Sequence, residues 1–294
     1  MIVYGSTQTS STTLGKNMFA FNTVPVGKLT AAVNAWSPDD AKQYRLQNWS
    51  LRPLQTQSDT FKHHALANGL RAALVSIGTK TAYAPSVAAM SAVIASPEDL
   101  RKNKMRLGAD LYRNPDLPAD GVFLQPGEAF VMSGAGCPFI IATAGEHMIV
   151  AHAGRKSLAE TDAVLGRPSR RHVSIVYAII EELLKKGEPL NEIVLYMMFC
   201  IPAELFDHHP MHPEHSEYNR KLVELVDTLW NGSTFQKDGN VFVDLESIFV
   251  KQAREMGVHR AWATHSLREF PALAHTRDGK DPSRRNLFVV KRNA

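Results

Sequence analysis

The 294-residue sequence predicts an α+β fold in which mixed β-sheets are flanked by helices. Three observations carry that expectation. Four short apolar runs follow one another between residues 121 and 152, separated by turn signals. The run from Ser169 to Lys186 places its apolar residues at the period of a helix. Strand-like and helix-like segments mix along the chain without the strict alternation that a doubly wound parallel sheet requires.

Taken in order, Met1–Met18 is rich in Ser and Thr and reads as a flexible leader, with residues 19–294 as a single α/β domain. Phe19–Trp36 alternates and carries β-formers. Asp59–Ser76 spaces Leu66, Leu70, Ala73 and Leu74 as a helix does, with Asp59 as N-cap and Gly78 as the stop. Tyr83–Ala95 is small and apolar and fits either state; Ser96-Pro97-Glu98-Asp99 reads as a helix start. Gly121–Leu124, Ala129–Ser133, Pro138–Thr143 and His147–His152 read as strands. Gln125-Pro126-Gly127 turns the first pair and Ala144-Gly145-Glu146 the last.

In the amphipathic run Val173, Val176, Tyr177, Ile180 and Leu184 share one face, two lysines close the last turn, and Gly187 caps it. Glu192–Ile201 reads as a buried strand and Glu217–Trp230 as a helix. Asn240–Val243 is a short strand leading into a helix over Leu245–Met256, which Gly257 ends. Ala261–Thr264 and Leu287–Lys291 are the last strands.

Composition narrows the function classes. Lys and Arg (33) exceed Asp and Glu (29) by only four, and the basic pairs Arg170-Arg171, Lys185-Lys186 and Arg284-Arg285 are scattered. No basic stripe interleaved with aromatics is present, so nucleic acid is not an expected partner. No stretch approaches the roughly 20 apolar residues that cross a bilayer, so no membrane partner is expected either. With only Cys137 and Cys200 and no apolar leader, a cytoplasmic protein with reduced thiols is expected. A bacterial effector exported without a cleaved signal has the same features.

The chemistry concentrates around two residues. Cys137 follows Ser133-Gly134-Ala135-Gly136, where a glycine-rich turn enters a strand, and His152 ends the next strand ahead of Ala153-Gly154-Arg155. A hairpin turning near Gly145 brings positions 137 and 152 nearly opposite each other. There an imidazole can take a thiol proton or share a metal with the sulfur. Gly134, Gly136 and Gly154 let backbone come close to a ligand and permit positive φ. The amides around Gly136 and Cys137 are candidate oxyanion donors.

Other candidates are weaker. Asp207-His208-His209-Pro210-Met211-His212-Pro213-Glu214-His215 is the densest set of metal-ligating types, yet its two prolines mark a loop, and a solvated polar loop is the plainer reading. Cys200 ends an apolar strand and reads as core. His275, Arg277, Arg284 and Arg285 offer charge and guanidinium forks that suit an anion.

The runs Ala119-Asp120-Gly121-Val122, Gly136-Cys137-Pro138 and Ala151-His152-Ala153-Gly154-Arg155 resemble the laccase-domain family of YfiH type. Val243-Asp244-Leu245, Gln252, Gly257-Val258 and Ala274-His275-Thr276-Arg277-Asp278-Gly279 keep that family's order. The resemblance implies a laccase-domain (necrotizing factor/YfiH-like) fold, polyphenol oxidase or purine nucleoside phosphorylase activity, and a small-molecule nucleoside as substrate. It implies Arg155, His275, Arg277 and Arg285 as substrate or phosphate contacts. It also implies zinc held by Cys137, His152 and a further histidine.

That third histidine is not where the motif falls, since none lies between His64 and His147. Gly136 stands where the family has Asp, and Val24 where it has Arg. Metal-free cysteine deamidases of necrotizing-factor type share the superfamily and carry a Ser-Gly-Cys motif with a histidine one hairpin later. Ser133-Gly134-Ala135-Gly136-Cys137 followed by His152 is similar to it, with two residues inserted. This implies Ser133, Gly136, Cys137 and His152 as the catalytic set and a protein carboxamide as substrate. A third reading is an inactive binding module that keeps the scaffold.

Overall fold

The computed structural model describes residues 2–3, 29–35, 71, 74–75, 77–85, 92–106, 108–114, 116–134, 136–159, 174–264, 266–269 and 286–292. In chain order the strands begin with β1 (Ile2–Val3), β2 (Leu29–Ala35), β3 (Thr81–Tyr83) and β4 (Ile94–Ala95). Helix α1 (Pro97–Leu100) follows, then β5 (Asn103–Arg106), β6 (Asp110–Arg113), β7 (Gly121–Phe123) and β8 (Glu128–Gly134). The hairpin β9 (Phe139–Ala144) and β10 (His147–His152) leads to α2 (Arg155–Leu158) and α3 (Ile175–Lys185). β11 (Val194–Met198), α4 (Ser216–Leu229), β12 (Thr234–Lys237), β13 (Asn240–Val243), α5 (Leu245–Glu255), β14 (Ala261–Thr264) and β15 (Asn286–Arg292) complete it. Most of the expected leader, and the first turns of the helix expected over Asp59–Ser76, lie outside the described residues.

The residues group into two compact units: residues 1–86, 95–135 and 270–294 in one, 87–94 and 136–269 in the other. The first holds a seven-stranded sheet in the order β1-β2-β15-β8-β3-β6-β5. Its pairing is mixed, with β3 parallel to β6 and β8 while β15 runs antiparallel to β2 and β8. Tyr83 and Glu128 form its buried polar pair, and the exposed Arg101 reaches onto it. The Tyr83 hydroxyl donates to Glu128 at 2.7 Å and accepts from Arg101 at 2.9 Å. Burial, reinforced by the Glu128 carboxylate, pushes the Tyr83 hydroxyl well above the ordinary phenol range, so it stays protonated.

In the second unit β14, β11, β9 and β10 are neighbours in that order. β11 runs parallel to β14 and antiparallel to β9. Every residue of β11 is buried, as are the inner residues of β9 and β10. Continuous apolar runs such as Phe139-Ile140-Ile141-Ala142 belong to strands covered on both faces. The turn Gly145-Glu146 joins β9 to β10, and Gly145 takes it at φ +46°. Among the described residues no helix is long and apolar enough to cross a membrane.

Helix starts follow cap chemistry. Ser96 and Asp99 form a reciprocal capping box on α1, Ser174 accepts from the Val176 amide at 3.1 Å, and Asp244 accepts from the Ser247 amide at 2.9 Å. The α3 helix corrects one expectation. The described part begins at Ile175 with Ser174 in extended geometry, and its buried face is Ile175, Val176, Ile179, Ile180 and Leu183. Leu184, expected inside, is exposed, and Tyr177 is half-buried. The apolar stripe is wide enough to fit two rotations, and packing chose the one that buries both Ile179 and Leu183. The strand expected over Glu192–Ile201 is shorter: Leu190–Glu192 is a 3-10 turn, and Phe199 at φ +59° lies just beyond Met198, where β11 ends.

Candidate functional site

Cys137 lies two residues ahead of β9, after Gly136 at φ +98°, a value that favours glycine. The β9–β10 ladder pairs Phe139 with His152. It runs one step further, because the Ala153 amide donates to the Pro138 carbonyl at 2.9 Å. The next position on one strand is Cys137 and on the other Gly154.

Gly154 has φ −64°, so its backbone needs no glycine. Space is what requires one. A Cβ there would stand 2.9 Å from both Cε1 and Nε2 of His152 and 3.2 Å from the Cys137 sulfur. The thiol and the imidazole therefore converge over the bare Cα of Gly154. Both side chains are half-buried, and neither Cys137 nor Cys200 forms a disulfide. A thiol with an imidazole at its side can pass its proton to the ring and react as a thiolate.

Cys200 is a different kind of cysteine. Burial, with smaller contributions from Glu246, Asp244 and Cys137, pushes its thiol well above the usual range. It stays protonated and packs.

Arg155 opens α2 directly after Gly154. Its Nη1 bonds to Nε2 of His208 at 3.0 Å, and its guanidinium lies 4.8 Å from the ring centre of Tyr218 and 6.0 Å from that of Phe206. Burial raises the Tyr218 hydroxyl against the opposing pull of the Arg155 charge. This pairing joins positions far apart in sequence, and no local signal announces it.

The histidine-rich segment separates accordingly. His208 turns inward and is buried, whereas His209 and His212 accept backbone amides on Nδ1, from Met211 at 3.0 Å and from Glu214 and His215 at 3.1 Å each. These rings shape the turn into α4, and His212 stacks on His215. No group of three His, Cys, Asp or Glu able to hold a metal occurs among the described residues. Cys137 and His152 supply two donors where catalytic zinc takes three protein ligands, so the donor set on view does not fit zinc. The described part of the histidine run adds no third.

Ser133 lies on β8 of the first unit, in register with Leu287. His275, Arg277, Arg284 and Arg285 lie outside the described residues.

No protein-family model matches the sequence, and neither does any curated protein. Solved structures do match. A Neisseria meningitidis protein of the DUF152 family superposes with a TM-score of 0.59 at 13% identity, covering 95% of this chain and all of that one. YfiH of Bacillus licheniformis gives 0.58 at 12%, covering 93% and 96%, and YlmD of Geobacillus stearothermophilus 0.57 at 14%, covering 94% and 96%. Mixed sheets with a few flanking helices are thus arranged here as in the YfiH and DUF152 proteins, at very low sequence identity.

Proposed function

From the fold it shares with the YfiH and DUF152 proteins, we propose that this chain is an enzyme whose reaction runs through the Cys137 thiol with His152 as its base. The convergence of the two side chains over Gly154 supports this reading. The reaction that uses only these groups is hydrolysis of a carboxamide. His152 takes the thiol proton, and the sulfur attacks the carbonyl carbon. A C–S bond forms and the carbonyl oxygen takes negative charge beside the backbone amides near Gly136. The imidazolium returns its proton to the departing nitrogen, which leaves as ammonia, and water cleaves the thioester to acid and free thiol.

A second reading, phosphorolysis of a purine nucleoside, draws on Arg155, whose charge no carboxylate among the described residues balances. Two assays separate the readings: ammonia release from glutamine-containing proteins, and phosphate-dependent release of base from adenosine or inosine. Loss of whichever activity is found in both Cys137→Ala and His152→Ala is the expected result. Activity undiminished in Cys137→Ala ends both readings. Silence in both assays from a folded protein favours a binding module.

A further inference from the structure

We propose that Cys137 is a site of oxidation by hydroperoxides and that Cys200 is its resolving partner, so that the oxidised protein carries a Cys137–Cys200 disulfide. This rests on the reactive-thiol reading above.

The sheet order places the two residues. β9 lies between β10 and β11, so Cys137, just ahead of β9, has a strand end on either side. On the β10 side stand His152 and Gly154. On the β11 side the ladder ends by pairing Met198 with Phe139. Two steps beyond that pair, one strand reaches Cys200 and the other Cys137. Positions facing across an antiparallel ladder have Cα atoms about 4.5–5.5 Å apart, inside the span of about 4.4–6.8 Å that a disulfide takes. Phe199, at φ +59°, stops the ladder at this point, yet its ring stays 5.7 Å from that of Phe139, so the chain keeps to the side of β9. The Cys137 charge is among the influences that raise the Cys200 thiol. Both residues belong to the second unit, and they are the two cysteines of the sequence.

Their surroundings divide the labour. Cys137 is half-buried with an imidazole at its side, whereas Cys200 is 1% exposed, so a hydroperoxide meets Cys137. The Cys137 thiolate attacks one peroxide oxygen: an S–O bond forms, the O–O bond breaks, and the His152 imidazolium protonates the departing oxygen. The sulfur is oxidised by two electrons to a sulfenic acid, and the peroxide is reduced to water or an alcohol. The Cys200 sulfur then attacks the sulfenic sulfur. An S–S bond forms, the S–O bond breaks, and the oxygen leaves as water with the Cys200 proton. Burial spares Cys200 from the oxidant, and proximity replaces acidity in the second step. The disulfide silences the nucleophile, and a thiol reductant restores it; without Cys200 the sulfenic acid goes on to the irreversible sulfinic acid.

The test treats the reduced full chain with hydrogen peroxide and reads intact mass and peptides after alkylation in denaturant. The parent should lose the mass of two hydrogens, take up no iodoacetamide, and yield one peptide pair joining positions 137 and 200. Dithiothreitol should return nearly all of its Cys137 alkylation. In Cys200→Ala, Cys137 should alkylate as in the parent before oxidation. After peroxide it should form a dimedone adduct when dimedone is present, and otherwise gain two oxygens and recover at least about tenfold less alkylation. In Cys137→Ala, Cys200 should survive the same dose of peroxide intact.

Sulfinic acid on Cys137 of the parent, formed as fast as in Cys200→Ala with Cys200 still reduced, overturns the proposal and leaves the thiol reading standing. A disulfide between two chains in place of the internal one also overturns it. Failure of Cys137 to alkylate in the folded, reduced parent overturns the thiol reading, and this proposal with it. Should Cys200→Ala not fold, the linked peptide pair in the parent decides the matter.

Discussion

A methyl group on Gly154 would touch the ring of His152 at 2.9 Å and the sulfur of Cys137 at 3.2 Å. The backbone at 154 already has angles that alanine accepts, so Gly154→Ala tests side-chain space alone. The ring is the part able to yield, and a displaced surface-side imidazole costs little. Stability should fall by less than about 1 kcal/mol, within the range of mild substitutions. Activity of the pair should fall by more than tenfold, because a base pushed away from the thiol no longer assists. Thermal unfolding and alkylation rates on the same sample check both halves. A Gly154→Ala protein that alkylates like its parent would show that the contact over Gly154 has no bearing on the thiol.

The rate at which Cys137 reacts with iodoacetamide should be half-maximal below pH 8.5, the point at which a free thiol is about half ionised. The cause would be the neighbouring imidazole, so in His152→Ala the midpoint should move up toward the free-thiol value. A profile identical in parent and variant would separate the two side chains chemically, whatever their placement.

The hairpin, its turn and the placement of Cys137 and His152 beside Gly154 are legible because the pattern is local: four apolar runs, Gly145 at the turn, and two glycine-bracketed polar residues. The strand limits Asn240–Val243 and Ala261–Thr264 match for the same reason. What the chain order hides is long-range. Arg155 and His208 meet through a hydrogen bond across more than fifty residues, and nothing near either one signals the other. The histidine run, read from its prolines as a polar loop, does form turns, though His208 is buried. There His209 and His212 spend their Nδ1 lone pairs on backbone amides, which their density as potential ligands does not announce. Gly154 is legible as special, and of the two grounds the sequence offers, close approach and positive φ, the second does not hold: crowding by His152 and Cys137 demands glycine there.

Cys200 should resist alkylation while the protein is folded. It is buried, and loss of hydration disfavours its thiolate, so at pH 8 the reactive form is scarce as well as hidden. Mass spectrometry after a brief iodoacetamide pulse should find one adduct, on Cys137, and two only after denaturation. Cys200→Ser should cost about 1–3 kcal/mol, since it sets a stronger hydrogen-bonding group in an apolar place. Labelling of Cys200 at the rate of Cys137 would contradict the packing described here.

Gln252 is fully buried on α5, and its amide joins two elements that sequence order keeps apart. Its Nε2 donates to the Leu158 carbonyl at 2.6 Å, and its Oε1 accepts from the Ser174 hydroxyl at 2.6 Å. Gln252→Leu orphans both groups and should cost about 1–3 kcal/mol for each, as unmade buried hydrogen bonds do. Gln252→Glu gives the sharper test. A protonated carboxyl reproduces both bonds, donating to Leu158 and accepting from Ser174, whereas a carboxylate faces the Leu158 carbonyl with no proton to give. Burial adds to that preference, so the folded-state pKa of the new acid lies above the unfolded value of about 4.3. The sign follows from linkage. Relative to the parent, the variant keeps its full stability below the unfolded pKa and loses it as pH rises through the raised folded value, by about 1.4 kcal/mol per pH unit over that interval. Unfolding midpoints measured from pH 4 to 8 should show a gap to the parent that widens with pH. A gap that stays flat would mean that the amide at 252 is not held by Ser174 and Leu158 as drawn here.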